Sequence, residues 1–126
     1  MQNQINQAID SILNNIPGVI SIYLSDFDGK LVYANGRFDV FPRAMAASIA
    51  VAHNCFTEIE AACNSELTIT IAEYQTYNIY NLRIGAGGQL VITSKLKESQ
   101  SGMLRIEANK IVQLLQCMIK SQGASN

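Results

Sequence analysis

The side chains able to carry chemistry are few and poorly spaced for it. His53 is the only histidine, and it falls mid-helix beside Asn54. Cys55 stands two residues away, and residues so spaced on a helix do not face each other, which leaves no nucleophile–base pair. The three cysteines, Cys55, Cys63 and Cys117, show no C-x-x-C spacing. Neither a disulfide framework nor a zinc site is indicated, and small buried hydrophobes are the expected role. Asp26, Asp28 and Gly29 have the start of a calcium loop, but the third oxygen ligand and the later glutamate are missing. That stretch is read as a turn. Gly85, Gly87 and Gly88 lie between two strand patterns instead of opening a helix, so they suit a hairpin and not a phosphate cradle. Tyr74, Tyr77 and Tyr80 could stack on bases, yet Arg83 is the lone basic residue among them, which favours cross-strand packing or an interface. The expectation is a non-enzymatic protein with no catalytic residue, cofactor or metal.

Composition narrows the class further. Hydrophobic residues make up 48% of 126 residues, so the chain can build one core. Charged residues are only 15%, against roughly 25% in an ordinary soluble domain, and charge depletion marks surfaces that another chain covers. A net charge of −1 offers no attraction to nucleic acid or an anionic membrane. The apolar run Ala44–Ala52 is far short of the roughly 20 residues of a membrane helix. The start, MQNQINQAID, lacks the basic and apolar regions of a signal peptide, and Gln2 does not fit N-myristoylation. A soluble, cytoplasmic protein is expected.

The elements that must position these residues follow from periodicity. Residues 2–16 place Ile5, Ala8, Ile9, Ile12, Leu13 and Ile16 on one helical face, and Pro17-Gly18 ends it. Val19–Ser25 alternates as a strand, turns at Asp26–Gly29, and returns along Lys30–Ala34; Asn35-Gly36 is a second turn signal. After a helix over Pro42–Cys63 come strands at Leu67–Ala72, Thr76–Ile84 and Gln89–Leu96. In the first of them Leu67, Ile69 and Ile71 point inward and Thr68, Thr70 and Ala72 outward. A last helix spans Met103 to Ile119. The order is α-β-β-α-β-β-β-α, an α+β fold with one five-stranded antiparallel sheet. Residues 1–120 form a single domain and 121–126 a flexible tail.

The helix Pro42–Cys63 is unusual. From Ala44 to Thr57 it has no formal charge, and five of those fourteen residues are Ala, the best helix former. Pro42 suits its first turn. One face holds Met45, Ile49, Ala52, Phe56, Ile59 and Cys63 and is expected on the sheet. A second face, Ala44, Ala47, Val51 and Cys55, is small and apolar. A helix apolar nearly all round must be covered on both sides, and a second protein chain is the economical cover.

The first hairpin GVISIYLSDFDGKLVYANG, the Ala-rich helix, the strand pair ELTITIAEYQTYNIYNL and the closing SGMLRIEANKIVQLL together resemble the roadblock family, within the wider group that includes longin domains. The match runs from Gly18 to Leu115. The long final helix is similar to that of Ragulator roadblock subunits and of prokaryotic roadblock proteins that regulate small GTPases. The resemblance implies non-catalytic homo- or heterodimers, paired through the central helix and the following strand into a ten-stranded sheet. That sheet is a platform for Ras-like GTPases or scaffold partners, with no nucleotide site of its own. The implied interface residues are Ala44, Ala47, Val51, Cys55, Glu58, Thr68 and Thr70. A Ragulator-type subunit would sit peripherally on an endolysosomal membrane through a lipidated partner. Two other readings stand beside this one. A PAS- or GAF-like sensor would need a ligand cavity between sheet and helices. A thiol enzyme using Cys55 or Cys63 would need a depressed thiol pKa.

Overall fold

The computed structural model describes residues 2–26, 30–37, 56–84, 88–95 and 98–124. The isoleucine periodicity folds as helix α1, Gln2–Asn15, and buries Ile9, Ile12 and the following Ile16. Pro17 cannot continue a helix, and Gly18 turns the chain with φ of 94°. Its carbonyl accepts the Lys95 N–H at 2.8 Å, tying the helix exit to the chain just after Ser94, the residue paired with Val19.

Strands β1, Val19–Ser25, and β2, Leu31–Gly36, pair antiparallel. Asp26 closes their hairpin: its N–H donates to the Lys30 carbonyl, and its Oδ1 accepts the Lys30 N–H, both at 2.9 Å. The aspartate is therefore a turn residue, as expected; Asp28 and Gly29 lie outside the described residues. Asn35 and Gly36 are not a turn. They extend β2 opposite Ile22 and Ser21, and each has another reason to be there. Asn35 Nδ2 donates to Asp10 Oδ1 at 2.6 Å, beside the Tyr33 hydroxyl at 2.7 Å, so two β2 side chains clamp α1 through one carboxylate. That hydrogen bond raises the Tyr33 pKa. Gly36 has φ of 103°, and a Cβ there would meet the Ile20 carbonyl and lie 2.7 Å from Ser21 Cα.

Helix α2 occupies Thr57–Cys63 and ends at Asn64 in the left-handed region, φ 51°. Ser65 N–H donates to the Glu60 carbonyl there, at 3.2 Å, satisfying a helix-end acceptor. The expected helical residues 42–55 lie outside the described residues. Strands β3, Ile69–Glu73, β4, Asn78–Ile84, and β5, Gly88–Ser94, follow, then helix α3, Glu98–Ala124. Helix α3 starts before the expected Met103 and continues past Ile119, since nothing in KSQGA forbids helix except one glycine, which costs only about 1 kcal/mol.

All pairings are antiparallel, in the order β2-β1-β5-β4-β3. One sheet face carries Ile22, Leu24, Tyr80, Leu82, Ile84, Leu90 and Ile92, against Ile9, Ile12 and Ile16 below α1 and Leu104, Ala108, Ile111, Val112 and Leu115 below α3. Tyr80 is thus core, not a stacking platform. Burying each such aliphatic side chain is worth about 1.5–3 kcal/mol, which makes this layer the main source of cohesion.

Gly36→Ala is expected to lower stability by about 1–3 kcal/mol, the usual cost of a strained backbone position, with further loss from the Ile20 clash. Urea unfolding followed by circular dichroism reads it. An unchanged midpoint would contradict the close approach.

Candidate protein-interaction surface

The opposite sheet face is of a different character. Tyr23 and Val91 form a small buried apolar cluster with Leu31, Ala34 and Ile79 packed on it. Around them Ser21, Ser25, Asn81 and Gln89 are also buried. Burial pushes the Tyr23 phenol pKa well above its ordinary value of 10.0, because a phenolate loses hydration there. Helix α2 is anchored on this side. Glu60 Oε2 accepts Arg83 Nη1 at 2.7 Å and the Leu67 N–H at 3.2 Å. Both partners are largely covered, so the bond is charge-assisted and partly desolvated, and stronger than a surface pair.

This anchoring overturns the expected helix face. Ile59 is 56% exposed and Cys63 is exposed, while Glu60 turns toward the sheet. The reason is the i to i+4 bookkeeping of a short helix: with Glu60 drawn to Arg83, Ile59 and Cys63 lie to one side of that contact. Cys117 is exposed as well, so neither described cysteine is a buried hydrophobe. Cys55 lies outside the described residues.

Beside α2 the sheet ends at β3. Arg83 N–H donates to the Thr68 carbonyl at 3.0 Å. Antiparallel alternation then turns the N–H and C=O of Ile69, Ile71 and Glu73 away from β4. These are edge groups, which need water or another strand. The edge is apolar too: Ile71 is 48% and Tyr74 59% exposed. Ile71 is on the core face by register, as expected, opposite the buried Tyr80, but on the edge strand it stays half exposed. Tyr77 is not part of this patch, since Lys95 Nζ sits over its ring at 5.0 Å.

Of the expected interface residues, Ala44, Ala47, Val51 and Cys55 lie outside the described residues, as does His53. Glu58 is exposed in the first turn of α2. Thr68 is exposed just before β3, and Thr70 is half-buried within it, opposite Asn81. These three share the α2–β3 side of the molecule. Ile59 and Ile71 were missed as surface residues; their apolar side chains gave no sign of exposure without the strand order. Strands β4 and β5, on either side of the glycine stretch, pair antiparallel up to Ile84 with Gly88; Gly85 and Gly87 lie outside the described residues. Among the described residues no group of three or more His, Cys, Asp and Glu side chains could hold a metal ion. No described helix is long and apolar enough to cross a membrane.

No family model and no curated protein sequence matches the chain. Solved structures do. Myxococcus xanthus MglB superposes with a TM-score of 0.82 at 18% identity, covering 94% of this chain and 96% of that one. A Roadblock/LC7 domain from Streptomyces avermitilis gives 0.79 at 15%, covering 90% and 96%. The gliding protein MglB of Thermus thermophilus gives 0.80 at 10%, covering 94% and 90%. The chain has the roadblock fold, with five antiparallel strands and helices in the expected order.

The Tyr23 environment sets an alkaline limit. A phenol whose pKa is raised by folding contributes stability that is complete below its unfolded value, near 10, and declines as pH rises from there toward the folded value. Tyr23→Phe is therefore expected to make the loss of stability above about pH 10 shallower. Urea midpoints measured from pH 8 to 11 report it, and parallel curves would contradict a buried phenol.

Proposed function

We propose that this chain is a non-catalytic roadblock subunit that pairs through α2 and β3 and, as a pair, binds or regulates a Ras-like small GTPase. The observation that carries the reading is the β3 edge. Outward backbone groups at Ile69, Ile71 and Glu73 lie beside exposed Ile71 and Tyr74, on the elements the family resemblance assigns to pairing. A second copy adding its own β3 would satisfy the edge and continue the sheet to ten strands. The charge-free, alanine-rich run before α2 supports the same surface from sequence alone. The bacterial roadblock-fold structures support a prokaryotic regulator over a Ragulator-type subunit on an endolysosomal membrane. The sensor alternative gains nothing from the core, where Ile9, Ile22, Leu90, Ile92 and Leu104 are all 0% exposed and fill the space between sheet and helices.

In this reading the protein performs no covalent step. It presents a two-fold platform, and any effect on nucleotide hydrolysis or exchange comes from positioning the GTPase's own residues. The low net charge leaves recognition to shape and apolar contact more than to long-range steering.

Light scattering at micromolar concentration is expected to give twice 13.8 kDa. Val51→Glu, which would bury an unpaired charge in the pair, and Ile71→Lys, at a site already half exposed, are each expected to give a folded monomer. Immobilised wild type should retain a purified Ras-like GTPase loaded with a GTP analogue, and the monomeric variants should not. A Val51→Glu species of unchanged mass would sink the interface; a wild-type pair indifferent to GTPases in either nucleotide state would sink the platform role.

A further inference from the structure

The helix layer carries a second surface, independent of α2 and β3 and on the other side of the sheet. Met103, Glu107, Lys110, Leu114 and Cys117 recur along α3 at alternating steps of four and three, the spacing of one continuous stripe. The stripe flanks the buried row Leu104, Ala108, Ile111 and Leu115, one position before each. Met103 is 46% and Leu114 43% exposed, and Ile106 beside them 58%. Met103, Glu107 and Lys110 also wall an open groove of about 410 Å³ against Ser11 and Asn15 of α1, with Ile12 at its base. Within the helix Lys110 Nζ reaches Glu107 Oε1 at 3.1 Å, with both side chains well exposed.

The order of residues in this stripe is self-complementary. Met103 and Leu114 are equidistant from the midpoint between Ala108 and Asn109, and so are Glu107 and Lys110. We infer that this flank of α3 pairs with the same flank of a second copy, antiparallel, about a two-fold axis at that midpoint. Met103 then meets Leu114 of the second copy, and Glu107 meets Lys110 of the second copy, each contact occurring twice as an isologous interface requires. A parallel arrangement would set Glu107 on Glu107 and Lys110 on Lys110, so the charges select the antiparallel one. The contact spans about three helical turns and falls below the roughly 1,000 Å² of a stable interface. It is a weak contact that links larger units, strengthened when each unit presents two copies of it.

Sedimentation of the full chain over a wide concentration range tests this. The unit present at low concentration, whether one chain or two, should double in mass reversibly as concentration rises. Glu107→Lys and Lys110→Glu alone each place like charges across the axis twice, and each should weaken that doubling by about tenfold. The variant carrying both exchanges should regain it, because the charges are complementary again. Circular dichroism confirms that all three variants keep their helix content. In a mixture of unlabelled and nitrogen-15-labelled protein, carbodiimide should join Glu107 of one isotope to Lys110 of the other. Absence of any doubling, single exchanges without effect, or a double exchange no better than the singles would each overturn the pairing. Val51→Glu should leave this step in place, which separates its failure from that of the α2–β3 interface.

Discussion

The structure depends on where the last strand goes. β5 inserts between β1 and β4, pairing with both along its length, and so joins the N-terminal hairpin to the β3–β4 pair. That insertion puts Leu90 and Ile92 at the centre of the core face, completely buried, where they meet side chains from both halves of the chain. It also decides which strands are left at the edges, and β3 is one of them.

From this one placement the division of labour follows. The face holding Leu90 and Ile92 is sealed by α1 and α3 with aliphatic side chains, and it supplies most of the cohesion. The other face mixes Tyr23 and Val91 with Ser21, Ser25, Asn81 and Gln89, and α2 is held above it by Glu60 on Arg83. A helix attached by an ion pair and a backbone hydrogen bond, with no buried residue of its own, is a weaker attachment than an apolar seam. Its apolar side chains stay available for something outside the chain. The core thus specifies the fold, and the α2–β3 side is the surface to which the proposed pairing assigns partners.

Much of this was legible in the residues. The isoleucine spacing of α1 and the alternation in β1 and β5 could be read directly, because one-sided burial leaves a period. The Asp26 turn was legible because an aspartate there can bond the backbone of the returning strand. What misled was local chemistry with a non-local cause. Asn35-Gly36 has the composition of a turn, yet Asn35 is there for Asp10, a contact 25 positions away, and Gly36 for the backbone of β1. Ile59 and Cys63 look like core by spacing, but the attraction between Glu60 and Arg83 sets the rotation of α2, and no periodicity records an ion pair. Cys117 lies two positions past the buried Leu115 on α3, off the row that faces the sheet, and is exposed. The small face at Ala44, Ala47, Val51 and Cys55 rests on the sequence, since those positions lie outside the described residues.

The central claim, that the β3 edge is completed by a second copy, is tested most directly by amide hydrogen exchange resolved to single residues. The account predicts that the outward N–H groups of Ile69, Ile71 and Glu73 are protected to the level of their inward neighbours Thr70 and Ala72, and that dilution removes this protection from the outward set first. Fast exchange at Ile69, Ile71 and Glu73 at every concentration, with Thr70 and Ala72 protected, would show an edge open to water and contradict it.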